Sequence, residues 1–193
     1  NMQTIDHRIL GEFLENRFED NVPDIFRRAF ILGAVEPDWN LITDFHGWKP
    51  GAKLRGHNYE NVLPAMRRLY ESLQDKATMG LRDYYRLGKL THYVADSFTY
   101  PHNGNFAGSL ADHCAYEVTL HRSFSQMLFG KTTEICTDIK SFGDIEELHE
   151  QYMQENGTAE CDMNYILYAV SAVFDHVYSE SCNKLVNVSM GNI

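Results

Sequence analysis

The chain has 193 residues, of which 44% are hydrophobic, and its formal net charge is −10 at pH 7. A chain of this length and apolar content can bury the core of one domain, and no shift in composition marks a boundary. We therefore predict a single domain over residues 1–193. The acidic balance argues against a protein that coats nucleic acid, because such a protein needs a basic stripe and the sequence has none.

The sequence shows no sign of a membrane anchor. No apolar run approaches the roughly 20 residues that a membrane-spanning helix needs, and the first residues lack the charged leader and apolar run of a signal peptide. The four cysteines are widely spaced without a CxxC pair, so we interpret them as reduced structural thiols. Reduced thiols favour a cytoplasmic protein, with secretion through a leader outside this sequence as the alternative.

Apolar residues recur at intervals of three and four along most of the chain, and no stretch alternates in the way a strand does. The spacing predicts helices over residues 4–18, 23–32, about 62–73, a central helix that ends before Pro101, 109–128, about 144–156 and about 159–186. We expect the second helix to end at Gly33 and residues 33–40 to form a loop, because helical geometry is disfavoured before Pro37. The predicted fold class is all-α, a compact multi-helix bundle.

Two pairs of side chains at helical spacing point to metal chemistry. His92 and Asp96 are four residues apart, as are His113 and Glu117, so each pair places an imidazole and a carboxylate side by side on one helix face. A mixed set of nitrogen and oxygen ligands suits zinc better than calcium or magnesium. A single pair of this kind is more often a surface pair or a satisfied hydrogen bond, so the surroundings of each pair matter.

The central helix is expected to turn His92 and Asp96 inward. One apolar stripe consists of Leu87, Leu90, Val94 and Phe98, and a second, mostly polar stripe that can face water consists of Arg86, Lys89, Tyr93 and Ser97. Gly88, one turn before His92, would let another backbone or a ligand approach closely. Pro101 ends the helix, so His102 lies on the following turn and is free to point back.

Other ligand-type residues are less informative when each is taken alone. His7 lies in the first turn of the first helix, where a lone histidine is more often a surface residue than a ligand. Asp38 follows a proline, a position at which carboxylates commonly cap turns. His46 and His57 lie on or beside loops, where binding residues gather. His121 lies one turn beyond the second pair and is expected at the surface, with an extension of that ligand face as the alternative.

The order of these residues is informative as a set. The pattern reads His92-x3-Asp96-x5-His102-x10-His113-x3-Glu117, preceded by Gly-x3-Pro-Asp38 and by His7 near the start. It resembles the zinc-dependent phospholipase C family, whose superfamily also holds fungal single-strand nucleases, over roughly the first two thirds of the chain. The resemblance implies a helical bundle of the phospholipase C and nuclease type that holds two or three zinc ions and hydrolyses phosphoesters, among which a phospholipid head group is one candidate substrate.

The resemblance also implies a ligand set for each ion. One zinc would be bound by Asp38, His92, Asp96 and a histidine between Asp38 and the central helix, for which His57 is preferred and His46 is the alternative. A second zinc would be bound by His102, His113 and Glu117. His7 would help to bind a third ion, to which Asp96 would bridge. Secreted members of the family complete that third site with an N-terminal tryptophan and carry a C-terminal lipid-binding β-sandwich, and this sequence shows neither.

The predicted activity is hydrolysis by metal-activated water, with Asp38 as the candidate residue that orients or deprotonates that water. The alternative from another class is a non-catalytic zinc-binding protein descended from the family. A histidine-aspartate phosphohydrolase fits less well, because it needs an adjacent His-Asp pair and the chain has only the reverse order, at Asp112-His113 and Asp175-His176. A di-iron carboxylate bundle fits less well still, because it needs Glu-x-x-His spacing.

Overall fold

The computed structural model describes residues 2–39, 58–74, 76, 78–127 and 138–190, and describes the backbone alone at 110, 125–127 and 180–190. These residues form seven α-helices, one short 3-10 turn and no β-strand, so the all-α prediction is confirmed. The helices are α1 (Thr4–Glu15), α2 (Asp24–Trp39), α3 (Tyr59–Leu73), α4 (Leu81–Ser97), α5 (Leu110–Met127), α6 (Phe142–Glu155) and α7 (Ala159–Met190), and the 3-10 turn is Tyr100–His102.

Helix α4 is the central element of the bundle. It contacts α1, α2, α3 and α7, so its C-terminal half has no face left for water. The predicted apolar stripe on this helix is buried, as expected. The predicted water-facing stripe is wrong in its second half, because Tyr93 and Ser97 are only 0% and 1% exposed. The helix ends at Ser97 and Pro101 lies in the following turn, which confirms the predicted end of the helix.

Helix α2 does not end at Gly33, and the predicted loop over residues 33–40 is wrong as far as Trp39. The helix continues through Pro37, which lies in its last turn and removes one i to i−4 hydrogen bond there. Contacts with α4 hold the residue before the proline in the helix. The Glu36 carboxylate accepts a hydrogen bond from Tyr85 Oη at 2.9 Å and pairs with Lys89 Nζ at 3.5 Å. Packing between helices therefore overrides the local bias against helix before proline.

One cluster of buried apolar side chains draws on all seven helices. Aromatic rings fill its middle: Phe18 makes edge contacts with Phe30 and Tyr84 at centroid distances of 5.1 and 5.2 Å. Such contacts add packing energy to the burial of the rings. The cluster surrounds α4 and so fixes the helix that carries His92 and Asp96. The single domain over residues 1–193 stays a prediction.

The structure tests the expectations about membrane-spanning helices and cysteines only for the residues that it describes. Among the described residues, no helix combines the length and the apolar character that crossing a bilayer requires. Cys114 and Cys161 are unpaired, as predicted, whereas Cys136 and Cys182 fall outside the described side chains. The expectation of free thiols is therefore confirmed for two of the cysteines.

Candidate metal centre

The first group of ligand-type side chains lies where α1 crosses α4. His7 of α1 and His92 and Asp96 of α4 are buried, and one ligand atom from each lies within 4.8 Å of the others. The carboxylate of Asp96 is close to both rings: its Oδ1 lies 3.2 Å from His7 Nε2, and its Oδ2 lies 3.4 Å from His92 Nε2. The two rings stack with centroids 3.7 Å apart. Two imidazoles and one carboxylate thus converge on one buried point.

Helix α1 buries His7 because of the spacing of its apolar residues. Leu10 and Leu14 follow His7 at intervals of three and four, and all three are at most 3% exposed. The expectation of a surface histidine is therefore wrong. His7 Nδ1 is also buried and makes no hydrogen bond within the part of the chain that the structure describes. A buried nitrogen of this kind is the sort of group that a bound ion or water satisfies.

A backbone carbonyl orients His92. Its Nδ1 lies 2.8 Å from the Ala34 carbonyl oxygen, which can only accept, so Nδ1 carries the proton. Nε2 then faces Asp96 and, at 3.8 Å, Oδ1 of Asp38. A ligating histidine commonly donates its second N–H to a carbonyl in this way. The helical form of residues 34–38 supplies both contacts, because Ala34 and Asp38 are four apart on one face of α2.

The second group joins the Tyr100–His102 turn to α5. His102, His113 and Glu117 place one ligand atom each within 4.8 Å of the others. On α5, His113 Nε2 lies 2.8 Å from Glu117 Oε1, as their spacing predicts. The rings of His102 and His113 are 5.6 Å apart between centroids. His102 does point back, as predicted, because its Nδ1 lies 3.5 Å from Asp96 Oδ2. The two groups are therefore adjacent.

The charges around Asp96 favour its ionised carboxylate, the form that binds a metal ion. Burial alone would raise its pKa, but His102, His7 and His92 hold the pKa of Asp96 well below its usual value of 3.8. Burial and the neighbouring His92 lower the pKa of His7, which favours the neutral imidazole that binds metals. Burial opposes the charging of His92, yet Asp96 and Asp38 raise its pKa, so a metal there competes with a proton.

The second carboxylate of the centre is also held in its charged form. Burial raises the pKa of Glu117, but the hydrogen bond from His113 and other nearby groups together outweigh burial, so that the pKa is lowered overall. The donor set of the two groups consists of imidazole nitrogen and carboxylate oxygen from four segments. This set fits zinc, which accepts both kinds of ligand at short range. His46 and His57, the two alternatives for a further ligand, lie outside the described residues.

The structure brings in two residues that the sequence did not assign. Asp6 is fully buried, and its Oδ1 accepts a hydrogen bond from Nδ1 of His121 at 2.6 Å. His121 is thus partly covered by α1 rather than a free surface residue. Its spacing of four from Glu117 was a usable signal for a position on the same face, whereas nothing marked Asp6 beyond its place beside His7.

A comparison with protein-family models agrees with this geometry. The model described as "Zinc dependent phospholipase C" matches residues 6–159. The chain belongs to the zinc-dependent phospholipase C family. The matched range contains both groups and Asp38, so the resemblance drawn from the sequence is confirmed. Searches of curated proteins and of solved structures gave no significant match. Membership of this zinc-dependent phospholipase C family indicates that the protein is a zinc-dependent hydrolase.

Proposed function

We propose that this member of the zinc-dependent phospholipase C family hydrolyses phosphoesters at a centre of adjacent zinc sites. The contact between Asp96 and His102, at 3.5 Å, carries the proposal because it joins the two groups of ligand-type side chains. Enzymes that clamp a phosphodiester between two metal ions need sites only about 3.5–4 Å apart. Separate, distant groups would instead favour ions with a structural role.

The proposed ligand sets follow the two groups. The first zinc would be bound by Asp38, His92, Asp96 and His57, with His46 as the alternative to His57, the second by His102, His113 and Glu117, and a third by His7 together with Asp96. Support for the first and third sets comes from the three contacts of 3.2 to 3.8 Å that link their described members. Support for the second comes from the close approach of its three ligand atoms.

The residues of the centre have different proposed roles in hydrolysis. Bound zinc would lower the pKa of water towards neutrality and draw charge from a phosphoryl oxygen. Asp38 is proposed to orient the attacking water and to accept its proton, because its side chain is 7% exposed and lies at the edge of the first group. Asp96, held charged by three histidines, keeps the ligand atoms in place. The substrate class is a phosphoester, with a phospholipid head group as the leading candidate because of the family.

The first test measures metal content and turnover on the same sample. Zinc per chain is determined by mass spectrometry of the purified protein, and hydrolysis is followed with an aryl phosphodiester and with an aryl phosphorylcholine ester at neutral pH. We expect at least two zinc ions per chain and turnover of one of the two esters. Asp96→Asn and His113→Ala are expected to abolish turnover, because each removes a proposed ligand.

Asp83→Asn is the matched control. Asp83 is a mostly buried carboxylate on the same helix as Asp96, but it pairs with Lys76 at 2.6 Å and lies roughly 20 Å along the helix from Asp96. Its variant should keep both zinc and turnover. Two or three bound zinc ions without turnover of either ester would overturn the hydrolase and favour the non-catalytic zinc-binding protein. A protein that binds no zinc would overturn both.

A further inference from the structure

The turn that carries His102 and the helix that carries His113 and Glu117 share one hydrogen-bond acceptor. Oδ2 of Asp162, in the first turn of α7, accepts a hydrogen bond from the backbone N–H of Tyr100 at 2.7 Å. The same oxygen accepts one from the hydroxyl of Tyr116 at 2.8 Å. Tyr100 lies two residues before His102. One carboxylate oxygen therefore ties together the two segments that supply the second group.

The position of Tyr116 on α5 makes this tie specific. Tyr116 follows His113 by three residues and directly precedes Glu117. Its bond to Asp162 therefore fixes the rotation of α5 about its own axis within the turn of helix that bears both side chains. A rotation or shift of that turn would move His113 and Glu117 together relative to His102.

Asp162 is built to hold this position. It is 0% exposed, and its second oxygen, Oδ1, accepts a hydrogen bond from the Tyr152 hydroxyl of α6 at 2.8 Å. A fully buried carboxylate is costly unless each oxygen is hydrogen-bonded, and here both are. The ionised carboxylate makes these contacts charge-assisted, and such hydrogen bonds are stronger than those between neutral groups.

We propose that Asp162 is a positioning residue for the group of His102, His113 and Glu117, setting the distance between the Tyr100–His102 turn and α5. The inference rests on the zinc binding proposed above. It adds a residue beyond the range 6–159 that the family model matches. Asp162 does not touch the proposed metal site itself and acts only through Tyr100 and Tyr116.

Two tyrosines provide a matched pair for the test. Tyr116 and Tyr152 donate to the same carboxylate at the same distance of 2.8 Å, but only Tyr116 lies on a segment that bears proposed ligands. Tyr116→Phe and Tyr152→Phe therefore make one chemical change at two places. If Asp162 only satisfied buried donors, both variants would lose stability and neither would change metal binding.

The experiment measures the zinc affinity of each site by competition with a chromophoric chelator at fixed pH. For Asp162→Asn we expect the affinity of the second site to fall by about tenfold, the lower end of the range for losing a hydrogen bond to a metal ligand itself, because Asp162 acts through Tyr100 and Tyr116, with the other sites unchanged. Tyr116→Phe should lower the same affinity, and Tyr152→Phe should lower neither. In a His113→Ala background, which lacks the second site, Asp162→Asn should have no further effect on zinc affinity.

The outcomes separate this inference from the proposed function. Wild-type protein that binds zinc in the second site, together with Tyr116→Phe and Tyr152→Phe variants of unchanged affinity, would overturn the positioning role and leave the hydrolase standing. Equal losses in the two tyrosine variants would also overturn it, because they would reflect general destabilisation. Wild-type protein without zinc would overturn the inference together with the function on which it rests. Should Asp162→Asn fail to fold, the tyrosine pair decides alone.

Discussion

Gly33 of α2 and Gly88 of α4 each lie against the backbone of the other helix. A Cβ atom on Gly33 would lie 2.0 Å from the carbonyl oxygen of Tyr85, and one on Gly88 would lie 2.0 Å from that of Phe30. No side chain fits at either place, so the two helices touch through their main chains. This close approach is what lets the Ala34 carbonyl reach His92 Nδ1 at 2.8 Å.

We predict that Gly88→Ala destabilises the protein by about 3 kcal/mol, the upper end of the usual range for overpacking a core, because the contact is with backbone that cannot move aside alone. The helices would have to separate, and the Ala34 to His92 contact would lengthen. Urea unfolding of the zinc-free protein measures the loss of stability. A reduced zinc affinity in the surviving folded fraction is expected as well.

Gly143→Ala is the control for that substitution. Gly143 lies near the start of α6, and a Cβ there would meet only Ser141 Oγ at 3.5 Å, an ordinary contact. Alanine in a helix is favoured over glycine by roughly 0.5–1 kcal/mol, so this variant should be equally or more stable. Similar unfolding midpoints for Gly88→Ala and wild type would contradict the interpretation of the helix crossing.

We predict that Asp96→Asn removes more zinc than Glu117→Gln. The carboxylate of Asp96 lies within 3.5 Å of nitrogens from His7, His92 and His102, so it borders both groups. Glu117 lies in the second group only. Zinc per chain after dialysis against a buffered zinc solution should therefore fall further in Asp96→Asn. Its kcat/KM should fall by at least about a thousandfold, or about 4 kcal/mol of transition-state stabilisation. Equal zinc contents in the two variants would argue against a shared ligand.

The spacing of residues along the sequence predicted those parts of the metal centre that lie within a single segment of the chain. The interval of four places His113 beside Glu117 whatever the rest of the fold does, and Pro101 ends α4 because of its own ring. The adjacency of the two groups followed only from the family resemblance. In the structure it depends on the turn that bends His102 back to Asp96.

Features that depend on packing between segments were not predicted from the sequence. The burial of His7 requires α4 to lie against α1, and the helical form of Glu36 before Pro37 requires Tyr85 and Lys89 from another helix. A lone carboxylate in the first turn of a helix usually serves as a favourable charge at the helix N-terminus. For that reason, Asp162 gave no signal of its contacts with Tyr100 and Tyr116.

We predict that removing zinc lowers the stability of the folded protein. Asp96 and the rings around it are buried together, and an ion that binds only the folded chain adds stability by mass action, about 2.7 kcal/mol at a hundred times its dissociation constant. Thermal unfolding of chelator-treated protein should therefore shift upward on addition of zinc. Magnesium at the same concentration should have little effect, because its preferred shell is all oxygen. An unfolding temperature of Asp96→Asn that rises with zinc as much as that of wild type would contradict the placement of the ion.

A buried histidine outside the centre should make stability depend on pH. His149 of α6 is 5% exposed and stacks on Tyr59 with ring centroids 3.4 Å apart. Its Nε2 donates to Asn103 Oδ1 at 2.8 Å, since the Nδ2 group of Asn103 already donates to the carbonyls of Ser97 and Thr99. Burial lowers the pKa of His149 from its usual 6.5 to about 4, although a hydrogen bond with the Ser97 backbone opposes the shift. The folded protein therefore holds this ring neutral at pH values where the unfolded chain takes up a proton.

The sign of the effect follows from the lowered pKa. Well above pH 6.5 His149 is neutral in both states, so its contribution is constant; as the pH falls through 6.5 towards 4, the unfolded chain gains a proton first and stability is lost. His149→Gln keeps a donor to Asn103 but cannot titrate. Between pH 7 and pH 5 we expect wild type to lose about 2 kcal/mol more than His149→Gln, as measured by urea unfolding at the two pH values. The proposed metal ligands are the same in both proteins, so their titration cancels in the difference. Parallel pH profiles of stability for the two proteins would show that the folded state protonates His149 as readily as the unfolded chain does, which would contradict the prediction.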